Sequence, residues 1–151
     1  MRTLNMTLFI VGGLLILTGC QGQSGAMEIN KTKVGGVYEI VDSGKEFKFY
    51  NSDQSFKLDT LTFISFANFE KVQRVKSPYE GVYSLSFKLN DKGKLKFKEM
   101  TSRNVHKQIC FVMGDKIIAA PQVNDIIPNG QVSIMIADEK GIEEIIKYLK
   151  N

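Results

Sequence analysis

The chain has 151 residues, with 20 Lys and Arg against 16 Asp and Glu, one His and two Cys. A formal charge of +4 falls far short of a nucleic-acid binder's concentrated basicity, and a lone His with two Cys is a poor ligand set for zinc. The length beyond the N-terminal region suits one domain with one core.

Met1 and Arg2 precede Leu8 to Leu17, an apolar run broken only by Gly12 and Gly13. It is too short for a membrane span, which needs roughly 20 apolar residues, and reads as a secretory signal. The run ends in Leu17, Thr18, Gly19 and Cys20, the lipobox pattern of bacterial lipoproteins. A thiol is nucleophilic enough to take a diacylglycerol as a thioether, and small Gly19 lets a peptidase cut beside it. The reading is therefore a signal peptide over 1–19 and lipidation at Cys20, with palmitate-type acyl chains. Two or more such chains give lasting membrane attachment, where one is marginal. All acidic residues follow Cys20 and Arg2 precedes it, so cleavage lowers the charge to +3. Gln21 is no acidic retention signal, which places the protein on the outer membrane of a two-membraned cell and otherwise on the cell membrane, facing outward.

Residues 20–32 are rich in Gly, Ser and Gln and predict a flexible tether, leaving 33–151 as a single α+β domain. Val34 to Tyr50 reads as an N-terminal hairpin turning at Asp42, Ser43 and Gly44. The aromatic stretch Phe56 to Phe69 suggests core, with a short helical piece over Asn68 to Lys71 and a strand through Val72 and Val75. Tyr83, Leu85, Phe87 and Leu89 alternate with Val82, Ser84, Ser86 and Lys88, a strand with one face in the core and one in water. Asn90 or Asp91 then caps a helix to about Arg103, with Phe97 and Met100 inward and its lysines outward.

From Gln108 to Met135 three strands are expected to form a small sheet. Ile109, Phe111 and Met113 alternate with Cys110 and Val112, so both faces are apolar, as in a central strand. Cys110 thus reads as a buried small hydrophobe with no partner for a disulfide, Cys20 being consumed by lipid. Gly114 and Asp115 suit a type II′ turn into Lys116 to Ala120. After Pro121 and a turn at Pro128, Asn129 and Gly130, Val132, Ile134 and Ile136 alternate with Gln131, Ser133 and Met135. Asp138 caps a final helix whose Ile142, Ile145, Ile146 and Leu149 form one apolar stripe. The class is α+β: a mainly antiparallel sheet with two helices packed on it.

Lys116, Ile117, Ile118, Ala119, Ala120 and Pro121, with Val123 and Ile126 after them, resemble the head of the large periplasmic domain of SecD, the protein-export membrane protein. Leu89, Asn90, Asp91, Gly93, Phe97 and Thr101 match a second stretch of that family, and Leu58 to Lys76 is weakly similar to its lead-in. The turn departs from the family, which has Asp then Gly where this chain has Gly114 then Asp115. The resemblance covers roughly 58–149 and implies a periplasmic α+β head that contacts polypeptides emerging from the translocon. It does not carry over proton-driven export, for which SecD uses membrane helices and their buried carboxylates.

Catalysis is not expected. His106 lies between Val105 and Lys107 at a helix-to-strand joint, without a positioned nucleophile or acid. Asp91, Asp115, Asp125 and Glu99 sit where turns and caps want acids, and no Gly-rich phosphate loop or metal motif occurs. No cofactor or small-molecule substrate is implied. Lys92, Lys94, Lys96, Lys98, Arg103 and Lys107, with Lys71, Arg74 and Lys76 on a neighbouring strand, read as solvated surface; as a functional patch they would rest on anionic lipid. Two functions follow. One is a binding module for extended or unfolded exported polypeptides or a translocon component, engaging them by a sheet edge or an apolar groove. The other is a structural envelope lipoprotein with one specific partner.

Overall fold

A computed structural model describes residues 25–77 and 79–151. The expected signal peptide over 1–19, the expected lipidation site Cys20 and the first part of the expected tether lie outside the described residues. In chain order the elements are β1 (Met27–Glu28), β2 (Gly35–Phe49), β3 (Ser55–Leu58), β4 (Ile64–Ser65), a 3₁₀ turn (Phe66–Asn68) and β5 (Phe69–Lys76). There follow β6 (Tyr83–Leu89), α1 (Asp91–Arg103), β7 (Ile109–Met113), β8 (Lys116–Ala119), β9 (Gln131–Ile136) and α2 (Glu139–Lys150).

The strands form two sheets. The first has the order β1-β5-β6-β9 and is antiparallel throughout. Leu85, Phe87 and Leu89 of β6 and Val132, Ile134 and Ile136 of β9 point to one side, where both helices cover them. From α1 come Phe97 and Met100, and from α2 Ile142, Ile145, Ile146 and Leu149, all in one buried cluster. Each helix begins on the cap that its sequence predicts: the Asn90 side chain accepts from Gly93 N and that of Asp138 from Gly141 N. The first sheet's other face carries Ser84, Ser86 and Ser133 together with exposed Val75 and Met135.

The second sheet almost closes on itself. The start of β2 pairs antiparallel with β7, from Gly35 opposite Met113 to Glu39 opposite Ile109. Next to β7 lies β8, and the far end of β2 runs parallel to it, Lys48 opposite Lys116 and Phe49 opposite Ile117. This ring encloses a smaller core of Tyr38, Phe47, Leu58, Cys110, Val112 and Ile117. On β7, Ile109 and Phe111 face the main core while Cys110 and Val112 face the small one, which is why neither face of its sequence is polar. Gly35 and Gly36 have φ of 131° and 145°, and a Cβ on Gly36 would strike the Ile64 carbonyl. Only glycine lets β4 approach β2 this closely.

Four expectations need correction. Val34 to Tyr50 is a single bent strand: Ile40 and Lys45 both pair with Leu58, so Val41 to Gly44 loops out as a bulge, and the hairpin reverses at 50–54 instead. The strand β9 does not extend the β7–β8 hairpin but joins β6 in the other sheet. The ordered domain starts before Lys33, since Met27 pairs with Val72, Ile29 is 5% exposed and Asn30 N donates to Leu149 O. The helical piece near Asn68 is a 3₁₀ turn over Phe66–Asn68, and β5 begins at once after it.

Truncating the partition strand tests this arrangement. Phe111→Ala should cost about 3–5 kcal/mol in urea denaturation, as a large buried aromatic does. Burial also pushes the Cys110 thiol up to about 12, so it stays protonated in the fold at pH values where it ionises in the unfolded chain. The stability linked to it is complete below the ordinary thiol value and is lost as pH climbs from there towards about 12. The parent chain should therefore lose stability faster than Cys110→Ala above about pH 9, read as denaturation midpoints at successive pH values.

Candidate functional site: a cleft beside the first helix

The segment between β3 and β4 is built around Asp59. Its amide donates to the Glu39 carbonyl at 3.0 Å, tying it to β2. Its carboxylate accepts from the Leu61 amide at 2.8 Å, the Thr62 amide at 3.3 Å and the Thr62 hydroxyl. These bonds, the hydroxyl's first and the Leu61 amide's next, hold the Asp59 carboxyl below its ordinary value. They also fix a tight turn that leaves Leu61 at the tip, 92% exposed. An Asp bonding its own backbone two residues on is a usual turn device.

Beyond the tip the chain dives into both cores. Phe63 stacks on Tyr38 at 4.5 Å with planes 6° apart, and Ile64 is buried in the main core. Opposite this segment runs α1. Its first turn is docked on the 3₁₀ turn, where Asn90 N donates to Asn68 O at 2.9 Å and Gly93 leaves no room for a Cβ beside Asn68. Between the two walls is an open cleft of about 330 Å³, lined by Leu61, Thr62, Phe63, Ile64, Lys96, Glu99, Met100 and Arg103. Buried Ile64 and Met100 and half-buried Phe63 make an apolar floor, and exposed side chains make the rim.

The rim charges are not equivalent. Arg103 is held by Glu39 of β2, so its guanidinium braces the wall. Among the described residues Lys96 and Glu99 make no ion pair, nor do Lys92, Lys94 and Lys98. Arg74 leaves the expected basic cluster altogether. It bonds Glu139 at 2.6 Å and Glu143 at 3.1 Å on α2 and stacks over Tyr83. The Glu139 bond raises the Arg74 pKa and lowers that of Glu139.

The residues weighed for catalysis are scattered. His106 is exposed with φ 65°, its amide donating to Val123 O at 2.7 Å. Asp91 opens α1, Asp115 sits in the β7–β8 turn, and Asp125 accepts from the Ile126 amide. Glu99 is inside α1, not at a cap as its sequence position suggested, and stands on the cleft rim. Among the described residues no three His, Cys, Asp or Glu side chains converge as metal ligands. The cleft offers apolar contact with a polar rim, the chemistry of binding. Leu61 and Thr62 drew no attention in the sequence; the signal was Asp59 followed by a Leu that matches no strand alternation.

Comparison with known proteins gives the same frame. The family model described as SecDF, P1 head subdomain, matches residues 42–141, which include both walls of the cleft. The SecD subunit of the protein translocase of Sebaldella termitidis is 33% identical over 89 residues, which are 59% of this chain and 21% of that protein. Its counterpart from Acidaminococcus fermentans is 30% identical over 82 residues, 54% of this chain and 20% of that protein. The chain thus spans about a fifth of the length of these curated relatives. In fold it is similar to a structure described as "Structure and function of a membrane component SecDF that enhances protein export". The TM-score there is 0.60 at 18% identity, covering 82% of this chain and 63% of the other. A second, "Crystal structure of SecDF in Super-membrane-facing form", gives 0.58 at 19% identity over 78% of this chain and 18% of the other. The match begins at residue 42, upstream of the stretch whose motifs carried the resemblance in the sequence, and takes in β3 to β9, α1 and the cleft: the chain belongs to the SecDF P1 head subdomain family.

Proposed function

We propose that this chain is a non-catalytic head module that works in protein export on the extracytoplasmic side of a membrane. It is held there by lipid on Cys20 and takes apolar side chains of extended exported polypeptides into the cleft beside α1. The observation that carries this reading is the family match over 42–141, which spans the whole cleft. The cleft geometry supports it. An apolar floor with a partly charged rim suits short hydrophobic stretches of many sequences, and Leu61, projected by a rigid turn, supplies an anchor whose ordering cost is already met within the fold.

Two measurements test the two parts. For the mooring, cells fed labelled palmitate should incorporate label into the parent chain and not into Cys20→Ser, with the variant released from the membrane fraction. An unlabelled, soluble parent chain would sink the anchor. For the cleft, a photo-reactive residue at Lys96 should capture many exported polypeptides in growing cells, and Leu61→Asp should lower the yield about fivefold, equivalent to about 1 kcal/mol, with thermal unfolding unchanged. Capture of a single stoichiometric protein would instead favour a structural lipoprotein with one partner.

A further inference from the structure

The outer edge of β9 is an unguarded strand edge. Its sequence, Gln131 to Ile136, contains no charge and no proline. Leu89 N donates to Gly130 O at 2.9 Å. By antiparallel alternation Val132, Ile134 and Ile136 exchange bonds with β6, and the N–H and C=O of Ser133 and Met135 point away from it. Asn129 Oδ1 takes the Gln131 amide at 3.0 Å, but among the described residues no hydrogen bond reaches Ser133 or Met135 from that side. Both are exposed, Met135 at 65%. The opposite edge of the sheet is treated differently: β1 covers β5 at Lys71 and Val72, and Arg74 and Lys76 charge the rest. Folded proteins blunt open edges by charge, proline, bulges or cover because such edges pair with other strands, and β9 uses none of these.

We propose that β9 pairs with β9 of a second copy of this chain, antiparallel about a two-fold axis at Ser133, joining two four-stranded sheets into one. Charge picks this occupant and this direction. At the Gly130 end Lys94 packs against the glycine, its Cβ 3.0 Å from where a Cβ on Gly130 would stand; Lys88, across from Gln131, is paired with Glu70, so among the described residues Lys94 is the base there without an ion pair. At the other end Ala137 leads from Ile136 to Asp138, the cap of α2, and Glu139; Glu139 is already bonded to Arg74, so among the described residues Asp138 is the acid there without an ion pair. Antiparallel self-pairing sets the basic end of each copy beside the acidic end of the other, whereas parallel pairing would set like against like. One strand pair is a small interface, so association is weak in solution. Tethering both copies to one membrane, which rests on the mooring proposed above, raises their effective concentration.

The test uses the full chain carrying Cys20→Ser and is read in self-association alone, apart from any client cross-linking. Sedimentation velocity over about two decades of concentration should show a reversible monomer–dimer equilibrium. Met135→Lys, which sets two charges near the axis, and Ser133→Pro, which deletes an outward N–H without touching the β6 ladder, should each leave monomer with unchanged circular dichroism. Added to the same chain, Ser133→Cys should be joined to its counterpart rapidly by a short bifunctional thiol reagent, because facing residues of a hydrogen-bonded pair lie about 5.5 Å apart at Cα. Gln131→Cys, facing Met135 of the other copy, should cross-link far more slowly. A monomer at every concentration, a dimer indifferent to Met135→Lys, or faster cross-linking through Gln131→Cys would overturn the proposal. So would an edge that binds an added extended peptide while the chain never self-associates.

Discussion

The interaction on which the structure depends is the burial of β7 on both faces. A strand with one wet face can be lost and replaced by water, but β7 divides two apolar volumes and has no wet face to offer. Ile109 and Phe111 close the main core from one side, and Cys110 and Val112 close the small core from the other. Each core therefore sees the same backbone as its wall. The strand is also hydrogen-bonded on both edges, to β2 and to β8, so its polar backbone is satisfied where no water can reach. Two cores that share a wall cannot unfold independently without exposing the other's apolar lining, and this makes the two sheets one cooperative body.

That coupling explains why the cleft has a rigid wall. Phe63 belongs to the small core through Tyr38, while its neighbour Ile64 belongs to the main one. The chain between β3 and β4 is thus pinned into both volumes within two residues, and the Asp59 turn locks the residues just before them. On the other side α1 is fixed by Phe97 and Met100 in the main core and by the Arg103–Glu39 ion pair to β2. An exposed pair of that kind adds little stability, but here it sets the spacing between helix and sheet. An exposed leucine would gain little from a mobile loop; on this one it has a defined position.

Most individual elements were legible because their patterns are local. Alternation over Tyr83 to Leu89, the Asn90 and Asp138 caps, the stripe from Ile142 to Leu149 and the two-faced run at Ile109 each state a period and a boundary within a few residues. The failures are all questions of partnership. Asp42, Ser43 and Gly44 signal a reversal, and the chain does depart from the ladder there, but Leu58 pairs on both sides of the excursion and returns it to one strand. The alternation of β9 says that it is half-buried, not which sheet buries it. Met27 and Ile29 sit in polar, glycine-rich surroundings that read as tether, yet two apolar side chains suffice to dock the segment at the edge of β5. The cleft was illegible for the same reason: its walls lie some forty residues apart in sequence, Leu61 to Lys96 and Arg103, and no local pattern reports that they face each other.

The helix α1 touches both the cleft and the β9 edge. Lys96, Glu99 and Arg103 on one flank line the cleft, and Lys94 packs on Gly130 at the start of β9. No residue is common to the cleft and the β9 edge, so a polypeptide in the first and a second copy on the second do not compete for contacts. They do share a support. Phe97 and Met100 fix the position of the helix against the main core, and a displacement of α1 that widened the cleft would also carry Lys94 away from Gly130. Packed cores resist such displacement, because a helix that shifts must leave voids or overlaps behind it. Occupation of either surface is thus expected to favour the α1 position seen here, which links cleft and edge through one rigid element, with no rearrangement of the sheets.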